Sequence, residues 1–334
     1  MATVGIIANP ASGKDIRRLV AYGTVFDNQE KVNIVRRILL GLAAVGVEKA
    51  VFMPDYYGIV PLAVEGLSSH DRLPMDVVAA DAPLTGTQED SMQAAAAMRA
   101  AGVACIVTLG GDGTNRMVAK GCGDTPLLPV STGTNNVFPV MLEGTIVGLA
   151  AGVVACGLAG GPNVVRRTKK LIIAKNGRDA DIALIDAVVI DDPFIGSRAI
   201  WDVGRIRQIV VTRGEPHNIG ISAIAGHLAP VGAYEPRGLT VACTPGAAGV
   251  LAPIAPGVIV PVGCQNHRAI QPDEEVPVAV TPCVIALDGE REVEVRAGDT
   301  ASIRLTLAGP AVIDARAALA EASARGRFRL KAKE

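Results

Sequence analysis

Val103 to Leu109 is a run of apolar, mostly β-branched residues that ends in Gly110-Gly111-Asp112-Gly113-Thr114. Such a run, closed by glycines, reads as a buried strand entering a tight turn. A strand buried on both faces belongs to a parallel sheet, and a parallel sheet needs helices on each side. The segments before it fit that demand. Val4-Gly5-Ile6-Ile7-Ala8, Ala50 to Met53 and Val77 to Ala80 read as strands. Asn28 to Ala44 is periodic as a helix, with Val32, Val35, Ile38, Leu39 and Leu42 on one side. Tyr57 to Leu67 and the Ala-rich stretch Thr87 to Ala101 read as two more helices, the second with Thr87, Asp90 and Ser91 near its start as cap residues. After the glycines, Met117 to Gly121 belongs to a helix and Leu127 to Val130 to a strand.

The texture changes beyond about residue 162. Short β-rich runs follow one another at Leu171–Lys175, Ile182–Ile190, Arg207–Thr212, Leu239–Cys243, Val258–Val262, Val276–Val280, Val284–Leu287, Val293–Arg296 and Ala301–Leu307. Only Ala315 to Ala324 is clearly helical. The predicted fold class is therefore α/β plus all-β. A Rossmann-like parallel α/β domain covers residues 1–161, and a mostly antiparallel, β-rich domain covers 162–334. Ligands in such a layout sit at the carboxyl ends of the parallel strands, facing the other domain.

Charge narrows the partners. Lys plus Arg (32) nearly balances Asp plus Glu (33), so nothing in the chain as a whole attracts nucleic acid or a bilayer. The basic cluster Arg166-Arg167-Thr168-Lys169-Lys170 and the tail Arg325, Arg327, Arg329, Lys331, Lys333 read as solvated faces, with phosphate neutralisation open to the first. Met141 to Ala159 carries one charge, Glu143, but its glycines at helical spacing point to a buried helix rather than a membrane span. Six scattered cysteines without a C-x-x-C pair suggest reduced thiols in a cytoplasm, and four scattered histidines show no metal-ligand spacing. No signal peptide is indicated by Met1-Ala2-Thr3, which runs directly into the first strand.

Three loops carry the chemistry. In the Gly110–Thr114 turn the glycines let backbone amides approach an oxyanion, and a helix N-terminus adds positive potential. Asp112 would repel a phosphate, yet it gains a use if it takes a proton from an attacking hydroxyl or holds a magnesium ion. The bland alternative is a plain strand-to-helix turn. Ser131-Thr132-Gly133-Thr134-Asn135-Asn136-Val137 follows the next strand, and Asn9-Pro10-Ala11-Ser12-Gly13-Lys14 follows the first. The last is not a Walker A loop, because Ala8 and Asp15 stand where Gly and Ser or Thr belong.

The order Asn-Pro-x-Ser-Gly (9–13), Gly-Gly-Asp-Gly-Thr (110–114) and Gly-Thr-Asn-Asn (133–136) resembles the superfamily of NAD kinases, diacylglycerol kinases and sphingosine kinases. Thr244-Pro245-Gly246, Leu287-Asp288-Gly289-Glu290 and Arg296-Ala297-Gly298-Asp299 extend the likeness into the second half. Within that superfamily, the opening Asn9 to Arg18 is similar to the acetoin-catabolism protein X group. The resemblance implies ATP and Mg²⁺ as donor and cofactor, a homo-oligomer, and Asp112 as catalytic base. It implies a nucleotide and phosphate site from Asn9, Ser12, Gly13, Gly110, Gly111, Gly113, Thr114, Asn115, Thr132, Gly133, Thr134, Asn135 and Asn136. Asp186, Asp288 and Glu290 would face the same cleft from the second domain. The acceptor is a hydroxyl of NAD or of a related nucleotide or small molecule. A lipid kinase and a non-catalytic nucleotide-binding protein are the alternatives. Asp186-Ala187 and Gly246–Val250 depart from the residues with which NAD kinases grip NAD.

Overall fold

A computed structural model describes residues 1–13, 26–68, 73–192, 202–278 and 280–329. The Lys14–Arg18 part of the first motif, His70 and the end of the basic tail lie outside them.

The first half alternates as the pattern predicts: β1 (Thr3–Ala8), α1 (Asn28–Ala44), β2 (Lys49–Phe52), α2 (Ile59–Ser68), β3 (Asp76–Ala79), α3 (Glu89–Ala100), β4 (Cys105–Gly110), α4 (Asp112–Gly121), β5 (Leu127–Ser131) and α5 (Gly144–Ala155). The strands pair in parallel in the order β3-β2-β1-β4-β5. Alternate residues of β1 feed opposite faces, as a period of two requires. Val4, Ile6 and Ala8 pack with α1, α2 and α5, while Ile7 packs with α3 and α4. The glycines of α5 let it lie directly on α1. A Cβ on Gly148 would sit 2.3 Å from the Ile38 carbonyl oxygen, and one on Gly144 2.8 Å from that of Ile34. The Met141–Ala159 stretch is thus a helix held by close packing, and no helix among the described residues is long and apolar enough to cross a membrane. Gly148→Ala is expected to lower stability by about 1–3 kcal/mol through this backbone clash. Gly160→Ala, where a Cβ meets open space, serves as the control in a thermal melt.

The second half adds β6 (Val165–Arg167), β7 (Lys170–Lys175), β8 (Arg178–Ala183), β9 (Asp186–Ile190), β10 (Ile206–Val211), α6 (Ser222–Leu228), β11 (Gly238–Cys243), β12 (Gly249–Ala255), β13 (Val258–Ile270), β14 (Glu275–Pro277), β15 (Cys283–Leu287), β16 (Glu290–Val295), β17 (Ala301–Thr306), β18 (Ala311–Ile313) and α7 (Ala315–Ala324). A seven-stranded antiparallel sheet runs β12-β13-β11-β10-β9-β15-β16, and a four-stranded sheet runs β14-β17-β7-β8. Leu171, Ile173, Val189, Ile285 and Ile303 fill the layer between the two sheets. The other face of the larger sheet is covered partly by α6 through Ile224 and Ala225. The architecture is parallel α/β followed by antiparallel β, the fold class expected from the sequence. β18 pairs parallel to β5 and antiparallel to β6, and Ala315, Ala318 and Ala322 of α7 join the core beside α5. β18 and then β6 therefore extend the first sheet beyond β5, and α7 packs on it beside α5.

Five sequence expectations change. Ile182–Ile190 is not one strand, because the amides of Leu184, Ile185 and Asp186 turn to the Asp288 carboxylate instead of a neighbouring strand. The chain crosses there from the smaller sheet to the larger. Val258–Val262 continues to Ile270, through polar residues that face outward. Val276–Val280 shortens to Glu275–Pro277. Ser222–Leu228 is a second helix where only Ala315–Ala324 was expected, and β12 was not anticipated.

Candidate functional site

β4 ends at Gly110, Gly111 occupies the cap position, and α4 starts at Asp112 without any side-chain cap. The first amides of α4 therefore have no intrahelical partner and carry the positive end of the helix dipole. The register places Gly110 beside Ser131, so the loop after β5 lies alongside. The loop after β1 is tied to both. Asn9 Nδ2 donates to Thr114 Oγ1 at 2.9 Å, and the Ser12 and Thr132 hydroxyls share a hydrogen bond of 3.0 Å. Below that loop, the fully buried Lys31 of α1 donates to the carbonyls of Asn9 (2.8 Å) and Ser12 (2.6 Å). Lys31 brings a cation beneath the loop through backbone dipoles rather than by direct exposure.

These loops line one cavity of about 880 Å³. Asn9, Ser12, Gly13, Gly111, Asp112, Gly113, Thr114 and Thr132 to Asn136 face it from the first domain, and Asp186, Asp288 and Glu290 from the second. Two of the expected residues stand behind it. Gly110 closes β4, where a Cβ would come within 2.5 Å of the Thr114 side chain. Asn115 is fully buried, accepting from the Thr108 hydroxyl and donating to the Gly111 carbonyl. The basic cluster is also elsewhere. Arg166 stacks over Tyr234, Arg167 pairs with Asp124, and Lys169 caps the carbonyls of Gly232 and Arg237, so none of the three reaches the cavity.

Seven carboxylates line the cavity (Asp55, Glu89, Asp90, Asp112, Asp186, Asp288 and Glu290), with no Lys, Arg or His among the described lining residues. At least four of the seven serve the backbone. Asp112 accepts from the amides of Val137 (3.1 Å) and Phe138 (2.7 Å), fastening the Gly133–Asn136 loop to α4. Asp55 accepts from Tyr57, Gly58 and Ile59 at the start of α2. Asp90 accepts from Thr85 and Gly86 rather than capping its own helix. Asp288, fully buried, accepts from Leu184, Ile185 and Asp186. Among the described residues no group of three or more His, Cys, Asp or Glu could hold a metal ion.

Two arginines bind the second domain to this site. Arg213 donates to the Val137 carbonyl, and its guanidinium lies 5.6 Å from the Phe138 ring. Burial holds its pKa below the ordinary value, against the pull of Asp112 and Glu215. Arg116 of α4 meets Asp181 at 3.2 Å and Glu292 at 2.9 Å, with Asp288 and Glu290 each at 4.0 Å.

A comparison with known proteins gives this arrangement a family. The acetoin catabolism protein X of Cupriavidus necator (strain ATCC 17699 / DSM 428 / KCTC 22496 / NCIMB 10442 / H16 / Stanier 337) is 38% identical over 312 residues, covering 90% of this chain and 87% of that one. The chain belongs to the acetoin catabolism protein X family. Residues 169–308 match the acetoin catabolism protein X C-terminal domain, and residues 4–157 match the ATP-NAD kinase N-terminal domain. Yeast NADH kinase, solved with NADH, shares the fold at a TM-score of 0.52 and 13% identity, over 100% of this chain and 89% of that one. A putative diacylglycerol kinase from Bacillus anthracis str. Sterne gives a TM-score of 0.48 at 14% identity, over 93% of this chain and 97% of that one. In this family member the GGDGT turn, its neighbouring loops and the second-domain acids meet at one cavity.

Burial, opposed by Arg116 and the backbone amides, pushes Asp288 up from 3.8 to about 6. Below about pH 4 the group is protonated in both states and carries no penalty. As pH rises the unfolded chain ionises first, so stability is lost until about pH 6, by up to about 3 kcal/mol. Asp288→Asn is expected to flatten that part of the profile. Unfolding free energies of both proteins between pH 4 and 7 check it, and parallel curves would contradict it.

Proposed function

We propose that this chain is an ATP-dependent phosphotransferase that moves a phosphoryl group onto a hydroxyl, with Asp112 taking the hydroxyl proton. The observation that carries the reading is the convergence of three glycine-containing loops and Asp112 on one cavity at the carboxyl ends of the parallel strands. Phosphoryl transfer asks little covalent chemistry of a protein, mainly positioning and charge stabilisation. The amides at the start of α4, together with Lys31 below the first loop, supply the positive potential for the phosphates. Gly111 and Gly113 leave room there, since a Cβ would meet Asn136 at 2.8 Å and Glu290 at 3.1 Å.

The described residues do not build a resident magnesium site, as Asp112 and Asp288 are occupied by backbone amides. Magnesium is expected only as the counter-ion that ATP brings in with its phosphates, which is how this cation is commonly held. A nucleotide is thus the proposed partner, with NAD or a small alcohol as acceptor. The six free cysteines support a reducing cytoplasm. The exposed Leu251 and Ile259 on the β12–β13 hairpin support a homo-oligomer.

The test is ATP turnover with candidate acceptors, comparing the wild type with Asp112→Asn. A second reading, nucleotide binding without transfer in acetoin catabolism, is favoured by the engagement of Asp112 with two amides. ATP binding by calorimetry with no Asp112-dependent product under any acceptor would select it.

A further inference from the structure

The second domain lines the cavity with two chemically different surfaces. One is the acidic group of Asp186, Asp288 and Glu290. The other is Ile219, Gly220, Ile221, Ile254 and Pro256, from the segment leading into α6, the end of β12 and the turn that follows it. No side chain in that second group can make a hydrogen bond. It abuts Asn135, because a Cβ on Gly220 would lie 3.5 Å from Asn135 Oδ1. That amide oxygen is itself buried and has no hydrogen-bond partner. A buried acceptor without a donor is costly, and one that lines a cavity is satisfied when a ligand supplies an O–H or N–H. Asn135 lies two residues before Val137, whose amide holds Asp112. At about 3.8 Å per residue, the Cα atoms of Asn135 and Val137 lie within about 8 Å of each other, which sets the residue with the unused acceptor beside the anchor of the reacting carboxylate.

We infer that this apolar wall with Asn135 is the acceptor subsite, and that it takes a compact, uncharged aliphatic alcohol bearing a second hydroxyl. The inference rests on the phosphotransferase reading and narrows its acceptor. The carbon skeleton packs on Ile219, Ile221, Ile254 and Pro256. One hydroxyl donates to Asn135 Oδ1, and the other faces Asp112. In the transfer, the oxygen of that second hydroxyl forms a bond to the γ-phosphorus of ATP. The bond from the γ-phosphorus to the bridging oxygen breaks, its electron pair leaves with ADP, and the hydroxyl proton passes to Asp112. The products are a phosphate monoester and ADP. A dinucleotide acceptor fits the wall poorly, since its ribose hydroxyls would have one acceptor to share and would otherwise lie against hydrocarbon.

Binding separates this inference from the reading beneath it. Propanediol, pentanediol and glycerol are titrated by saturation-transfer NMR into the full chain saturated with ADP, with NAD as the competitor. Pentanediol is expected to bind most tightly of the three. Asn135→Ala and Ile254→Asn are each expected to weaken it about tenfold or more, a loss of roughly 1.4 kcal/mol. Far-UV circular dichroism and a thermal melt of the same two variants report whether they fold. Absence of diol binding overturns the subsite, as does NAD binding more tightly than every diol or affinities unmoved by both variants. Diol binding without an Asp112-dependent phosphate monoester in phosphorus NMR supports the subsite and sinks the transfer reading instead.

Discussion

Asp112→Asn is expected to slow phosphoryl transfer by at least about 10²-fold, the lower end of what a positioned proton acceptor contributes. The carboxylate is held at the first residue of α4, where the Val137 and Phe138 amides fix its orientation. An asparagine keeps the shape but has one oxygen instead of two and cannot accept a proton. Its amide nitrogen would also face an N–H of the loop, so part of the loss will appear as weaker nucleotide binding. Calorimetric ATP affinity separates the two effects. A tenfold or smaller change in affinity beside the larger loss of rate assigns Asp112 to the chemistry. A transfer rate within tenfold of the wild type would make it an anchor for the Val137–Phe138 turn and nothing more. Asp112→Glu completes the series: it keeps a base but displaces it by a methylene, and should recover only part of the rate.

The parts legible in the sequence were those governed by local periodicity. β1, α1, β4 and α7 follow from apolar spacing, and the glycine turn after β4 follows from its composition. Its closeness to the loops after β1 and β5 follows from the parallel sheet, because strand ends on one edge are neighbours. What was hidden depends on partners distant in sequence. Ile182–Ile190 breaks because Asp288, about a hundred residues later, takes its amides. Asn115 follows the glycine turn as a plausible ligand residue, but helical geometry aims it back at Thr108. Lys31 did leave a trace, as a lone charge on the stripe of Val35, Ile38 and Leu42. Arg213 and the Ile219–Pro256 wall left none, since isolated arginines and isoleucines in β-rich sequence are usually ordinary.

Arg116→Leu is expected to destabilise the fold by about 3–5 kcal/mol, because it removes one partner of a buried ionic group while leaving the others in place. The guanidinium side chain is wholly buried among Asp181, Asp288, Glu290 and Glu292, with Lys120 adding a bond of 2.6 Å to Asp181. Burial acts against the arginine's charge, but the four carboxylates outweigh it and hold its pKa above the ordinary value. Without Arg116, Lys120 would still pair with Asp181. Leucine supplies apolar bulk and no charge, so packing alone will not rescue the variant. Arg116→Lys should recover only part of the loss, since an ammonium cannot fork towards Asp181 and Glu292 together. Urea unfolding of the three proteins measures this directly, and a loss under about 1 kcal/mol for leucine would mean that water already neutralises the acids. The same network joins α4, which starts at Asp112, to the Asp288–Glu290 turn on the opposite side of the cavity. Even where the lysine variant folds fully, its ATP affinity should therefore fall, because the two walls of the site are no longer held by one planar group.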